Sequence, residues 1–344
     1  MQDLTARYLS HRRFRILRAV MIISGLLMTL AGMNLTDLRN RYHAELFENY
    51  LPFWDKFGVD HEYGGFMCSL DYDGARANTD KFLWFQGRGI WIYSFLHNHF
   101  GKDAKYLDIA RKTKDFVLTH APQTDGWWAE EFARDGSVKK RFTGDIFGMY
   151  FVAEGLQEYA WAMQDDKVRE MAFALVKKLF RYMDRPDFRF MGTGDPGVRA
   201  QGLWMVNVRI ATQMLRRWKD PEIATIADKC VDAVIDRHYN PEIGLNNEML
   251  NFDFSRPKGE ETKSLLGHSI ETLWMIQDEA DRGTISSSGT PAPSGFTAIS
   301  KLAGTTSSAV SPSGSTSTRA VSSGRPSVPS EPISSFASPA NTST

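Results

Sequence analysis

Glu62-Tyr63-Gly64-Gly65-Phe66, followed by Leu70-Asp71-Tyr72-Asp73-Gly74 and then by Lys81-Phe82-Leu83-Trp84-Phe85-Gln86-Gly87-Arg88, is the run whose reading decides the fold. Glycines and an Asp-Gly step punctuate short segments, which predicts a β-hairpin closed by a tight turn. Over residues 81–100 the spacing becomes that of a helix, with Trp84, Trp91 and Phe95 on or near one face. The succession returns further on. Asp125-Gly126-Trp127-Trp128 leads to Arg134-Asp135-Gly136 and then to a helical block at 143–163. Helix pair and aromatic hairpin thus alternate every roughly 50 to 60 residues, the scale of repeat architectures.

Eight helical blocks are predicted: 35–53, 81–100, one capped by Asp103, 143–163, 165–183, 201–218, 221–238 and 265–281. Short turns pair them as αα-hairpins, so the chain is all-α apart from its hairpin loops. Three regions follow. Residues 1–33 set Arg12, Arg13, Arg15 and Arg18 ahead of an uncharged, mostly apolar run at 19–33. That pattern reads as a secretory signal or anchor, or else as an extension before a start at Met33. Localisation divides accordingly: cytoplasmic for a start at Met33, secreted or membrane-anchored for a genuine leader. Residues 34–283 are the globular body. Residues 284–344 are rich in Ser, Thr and Pro, with Phe296 and Phe336 their only aromatics, and are expected to be disordered.

Lys and Arg number 41, as do Asp and Glu, so no basic surplus argues for a nucleic-acid partner. Cys68 and Cys230 show no C-x-x-C or clustered pattern, and no metal is expected. Chemistry concentrates in Gly267-His268-Ser269-Ile270-Glu271. His268 and Glu271 stand one helical turn apart, and a carboxylate beside an imidazole raises its basicity and holds its tautomer. This pair suits proton transfer near neutral pH, although a structural histidine at a helix start has the same look. Arg88 lies between Trp84 and Trp91, either to hold a substrate oxygen or to pair with Glu130 or Asp145. Trp84, Trp127, Trp128, Trp204 and Trp274 are candidates for stacking on a pyranose, at most two of them in a site. Glu248, in Gly244-Leu245-Asn246-Asn247-Glu248, is placed to accept from a hydroxyl.

Taken in order, the runs quoted above, with Phe53-Trp54-Asp55, Asp60 and Trp274, resemble the N-acylglucosamine 2-epimerase family over about residues 35–281. The resemblance implies an (α/α)6 toroid with its site among the inter-pair loops, and chemistry on a mono- or disaccharide reducing sugar. The ring opens, a base removes the proton next to the carbonyl, and an enediolate forms. Reprotonation gives the C2 epimer or the ketose. By position, His268 is an acid/base, Glu271 orients it and Arg88 steadies sugar oxygens. Trp84, Trp128, Glu248 and Trp274 are the substrate-binding set. The proton transfer itself needs no cofactor, and the resemblance favours a homodimer.

Three departures are visible. Eight blocks stand where the toroid has twelve. The family's second catalytic histidine lies in a later helix, with no counterpart before the Ser/Thr/Pro segment. A sugar epimerase or isomerase with impaired or lost activity is therefore the leading expectation, and a carbohydrate-binding protein without turnover the alternative. Asn207 and Arg209 stand where some members carry a sugar-contacting histidine.

Overall fold

A computed structural model describes residues 34–286, in two units, one ending at Gly58 and the other beginning at Val59. The two terminal regions set apart in the sequence, 1–33 and the segment from 287 onward, lie outside the described residues. In the first unit, helix α1 (Leu35–Ala44) is capped by Asn34, whose Oδ1 accepts from the Asp37 amide at 2.9 Å. It runs on through π-helical turns at Glu45–Tyr50 and Trp54–Gly58, on either side of Leu51–Phe53.

The second unit holds seven helices: α2 (Leu83–His99), α3 (Ala104–His120), α4 (Phe147–Met163), α5 (Asp166–Met183), α6 (Gln201–Leu215), α7 (Pro221–Asp232) and α8 (Leu266–Ser286). Each predicted block is therefore a helix, with α8 running three residues into the segment assigned to the tail. The helices form two rows. α2, α4, α6 and α8 pack in succession, while α3, α5 and α7 back onto α2, α4 and α6. The sequence dictates this sorting. α5 is amphipathic and buries Val168, Ala172, Leu175, Val176 and Leu179 along one face. α4 is apolar almost all round, is buried without a break from Gly148 to Ala160, and so takes the centre. This is the layered helix pairing of an α/α toroid, not closed into a barrel among the described residues.

α2 and α4 touch backbone to backbone. A Cβ on Gly87 would lie 2.4 Å from the Phe151 carbonyl carbon, and one on Gly155 would lie 2.6 Å from the Gly87 oxygen. Only glycine permits so close an approach at both positions.

The strands are short and cap the helix pairs. β1 (Lys81–Phe82), β2 (Glu131–Phe132) and β3 (Val138–Lys140) make one antiparallel sheet. β4 (Arg199–Ala200) pairs with β7 (Met249–Leu250), and β5 (Tyr239–Asn240) with β6 (Leu245–Asn246). The hairpin predicted around Asp135-Gly136 is β2–β3. The one predicted at 62–74 shrinks to single bridges, Val59 with Phe66 and Leu70 with Arg76.

Lys81 and Phe82, read as the start of a helix, are strand, and the reason is electrostatic. The Lys81 ammonium is wholly buried and ties three segments together. Its Nζ donates to Gly64 O at 2.7 Å and Arg134 O at 2.8 Å, and lies 3.0 Å from Asp60 Oδ2. Arg134 adds a two-pronged bond to Asp60, with both distances 3.0 Å. Burial raises the Asp60 carboxyl, but Arg134 and Lys81 outweigh it and hold its pKa at about 2. Among the described residues no helix is long and apolar enough to cross a membrane.

Candidate functional site

The site lies where the inner helices begin. Gln86-Gly87-Arg88 divides the labour of building it. Gln86 is buried, accepts from the Phe66 amide at 2.7 Å and donates to Phe66 O at 3.0 Å, so its amide fixes the aromatic loop as a strand partner would. Gly87 makes the close contact with α4. That contact sets Arg88 against α4, its guanidinium 4.1 Å from the Phe151 ring centroid and 5.8 Å from that of Trp84. Arg88 keeps part of its surface open to solvent while its guanidinium packs against the two rings, and no described carboxylate lies within ion-pair distance of it. The two structural partners the sequence allowed are engaged elsewhere. Glu130 binds Thr143 and Lys140, and Asp145 Oδ2 takes the Trp84 Nε1–H at 2.7 Å. Burial, then the charge of Arg209, lower the basicity of Arg88. Burial raises the Asp145 carboxyl, against hydrogen bonds from Phe147 and Trp84.

His268 sits in the first turn of α8, half-buried, with its ring over Gly202 at the start of α6. A Cβ on Gly202 would come 3.3 Å from Cε1. The carboxylate that grips the imidazole is Glu248, with both oxygens 3.0 Å from Nδ1. This corrects two expectations. Glu271 makes no hydrogen bond to the ring. It is exposed and acts on His268 through charge alone. Glu248, expected to hold a substrate hydroxyl, instead has both oxygens turned to a neighbouring side chain. An ionised carboxylate only accepts, so His268 carries its proton on Nδ1 and keeps Nε2 clear of described partners. The Glu248 hydrogen bond raises the His268 pKa, burial opposes it, and the charges of Glu248 and Glu271 add to the rise.

Glu248 itself is held on both sides. Its amide donates to Lys263 O at 2.8 Å and its carbonyl accepts from the Gln201 amide at 2.7 Å. Gln201 Nε2 reaches Thr272 Oγ1 at 3.2 Å, and Thr272 Oγ1 donates to His268 O at 2.7 Å, which ties α6 to α8 beside the ring.

The tryptophans divide. Trp84 borders Arg88. Trp128 (9% exposed) and Trp204 (3%) are buried in the core. Trp127 is stacked on Phe142 at 4.3 Å. Trp274 is 48% exposed but falls with Leu266 and Ile270 on a stripe turned away from the His268 face, since residues advance about 100° around a helix. The structure thus brings Arg88 and Trp84 together, and His268 with Glu248.

Below Arg88 runs a polar column that the sequence reading missed apart from Arg209. Arg209 Nε lies 2.7 Å from Glu154 Oε1, which accepts from Gln213 Nε2 at 3.0 Å. Gln213 Oε1 accepts from Trp91 Nε1 and Gln157 Nε2, both at 3.0 Å. Arg217 then binds Gln157 at 3.0 Å and Glu158 at 2.7 Å. A glutamate within a 13-residue buried helix stretch was the available signal, since a buried charge demands partners. No group of three or more His, Cys, Asp or Glu suited to a metal ion occurs among the described residues.

Comparison with known proteins bears on this geometry. The sequence model of N-acylglucosamine 2-epimerase (GlcNAc 2-epimerase) matches residues 64–288. N-acylglucosamine 2-epimerase from Mus musculus is 34% identical over 85 residues, 24% of this chain and 20% of that protein. The Bos taurus enzyme is 25% identical over 257 residues, 69% of this chain and 58% of its own length. The chain therefore spans between a fifth and three-fifths of these curated relatives. Among solved structures, cellobiose 2-epimerase from Spirochaeta thermophila superimposes with a TM-score of 0.66 at 18% identity, covering 80% of this chain and 71% of that one. That likeness shows the α/α toroid fold.

Proposed function

The chain belongs to the N-acylglucosamine 2-epimerase family, and from that premise we propose that it acts on a reducing sugar by proton transfer at the carbon next to the carbonyl. The observation that carries the reading is the His268–Glu248 pair, an imidazole held at Nδ1 with Nε2 free, together with the unpaired Arg88. In the open-chain sugar, Nε2 takes the proton from C2. The positive charge that forms on the ring is stabilised by Glu248, whose carboxylate already lies against Nδ1. The negative charge that develops on the sugar oxygens is met by Arg88, a guanidinium not neutralised by any described carboxylate. Return of a proton to the opposite face of C2 gives the epimer, and delivery to C1 gives the ketose. Both products begin with the same step.

The test is exchange. The protein is incubated in D₂O with mannose, glucose, N-acetylglucosamine and cellobiose in turn, and deuterium at C1 and C2 is followed by NMR. Exchange into at least one sugar, abolished by His268→Ala, is the expected result. No exchange in any of them overturns the reading. Sugar binding that persists without exchange would then assign the chain to carbohydrate binding alone.

A further inference from the structure

Glu248 owes its place to a buried hub that neither the resemblance nor the site chemistry explains. Helix α7 does not end in an α-turn. Its continuation, Ala233–Arg237, is π-helical, and the His238 amide bonds to Ala233 O at 2.8 Å. The wider turn leaves Val234 O without its usual helical partner, and Asn246 Nδ2 takes that oxygen at 2.9 Å. His238 is wholly buried. There Nδ1 donates to Asn247 O at 2.7 Å, and the Asn247 amide returns a bond to His238 O at 2.7 Å.

Asn247 passes the constraint on. Its Nδ2 donates to Glu261 O at 2.8 Å and Glu260 O at 3.3 Å, and its Oδ1 accepts from Arg256 Nε at 3.2 Å. Asn240 Nδ2 adds a bond to Glu261 O at 3.0 Å. Both ends of the segment that carries Glu248 and leads into α8 are thereby fixed to one point. Asn240, Asn246, Asn247 and His238 are all buried. Their acceptors are main-chain carbonyls, which an apolar replacement would leave without a partner, so the polar set fixes the direction of the backbone here. His238 Nε2 finds no partner, so the ring is held as the neutral Nδ1–H tautomer.

We propose that His238, acting through Asn247, is a positioning residue that holds the Glu248 carboxylate against Nδ1 of His268 and so keeps Nε2 of His268 as the working nitrogen. The inference rests on the reading of His268 as the acid/base. It predicts coupling between two histidines, His238 and His268, that lie on different elements and share no hydrogen bond.

The readout is the titration of His268 in the full chain, followed by NMR of its Cε1 proton, with the signal assigned through His268→Gln. Glu248 and Glu271 are the charged groups that act on this ring. His238→Leu keeps the bulk and loses the donor. It is expected to weaken the proton affinity of His268 about three- to tenfold, half to one pH unit, with the far-UV circular dichroism unchanged. His238→Asn, which restores an N–H at a similar position, is expected to recover most of that loss. A folded His238→Leu protein in which His268 titrates as in the wild type overturns the proposal. Should His238→Leu fail to fold, Asn247→Ser carries the same test: a lowered His268 titration supports the proposal and an unchanged one overturns it. The measurement uses no sugar. A shift without sugar exchange would sink the functional reading alone, and exchange without a shift would sink this proposal alone.

Discussion

Arg88 and Arg217 are both arginines beside an aromatic ring on an inner helix, and the structure treats them in opposite ways. Arg88, near the start of α2, stands over Phe151 with no described carboxylate within ion-pair distance, although the charges of Glu154 and Glu271 act on it. Arg217, just past the end of α6, lies 3.9 Å from the Trp161 ring centroid and is bonded to the buried Glu158. Along the column between them, Glu154, Arg209, Gln213 and Gln157 bind one another. The difference separates a charge left without an ion-pair partner among the described residues from a charge held inside the fold. A buried pair is costly to break, while an unpaired exposed cation is nearly free to remove.

The largest test of that contrast removes each arginine. Arg217→Ala is expected to cost about 3 kcal/mol in urea unfolding, because it takes the arginine from a buried carboxylate and leaves it the Asn98 amide at 2.7 Å. Arg88→Ala is expected to cost under about 1 kcal/mol and to abolish sugar exchange. Comparable stability losses would erase the distinction.

Acid tests the interior without mutation. Burial depresses the His238 pKa to about 4 from an ordinary 6.5. Its neutral form therefore favours folding fully above pH 6.5, and that contribution falls as pH drops from 6.5 towards 4, by about 3 kcal/mol in all. Asp60, held at about 2, adds a second loss of about 2 kcal/mol as pH falls from 3.8 towards 2. Unfolding free energies measured from about pH 8 to about pH 2 check both, with His238→Asn expected to remove only the upper part of the slope.

The site end has the opposite sign. The raised pKa of His268 means that its charged form favours folding below the ordinary value of 6.5, and the benefit fades as pH rises through the folded value. Glu248→Gln is expected to bring the His268 titration back towards 6.5 and to shift the acidic limb of the exchange rate with it. An unmoved titration would show that Glu248 does not control the ring. Gly202→Ala is the mildest probe. A methyl 3.3 Å from Cε1 is expected to lower exchange several-fold, with a stability cost of about 1 kcal/mol.

Helices were legible because their apolar spacing repeats over many residues, and all eight predicted blocks stand. Lys81 was misread because a buried lysine carries no periodic signature. Its three partners lie 17 to 53 residues away in the chain. The site was half legible. His268 was visible from its own helix, and the nearest carboxylate in sequence, Glu271, was the natural candidate to orient it. The structure gives that contact to Glu248, 20 residues earlier, because strand pairing between β4 and β7 carries it across. Trp128 and Trp274 show the limit of counting aromatics: one is buried and the other is half exposed on α8, and neither fact is written locally.

The glycine seam between α2 and α4 has a mechanical consequence. With main chains in contact at Gly87 and Gly155, no layer of side chains lies between the helices to act as a cushion. Packed interiors are nearly incompressible, and this seam lacks even rotamers to adjust. Arg88 is mounted directly beside it. A load on that guanidinium therefore acts on two helices as one rigid body, whereas His268 on the α6–α8 side rests on a hydrogen-bonded mount.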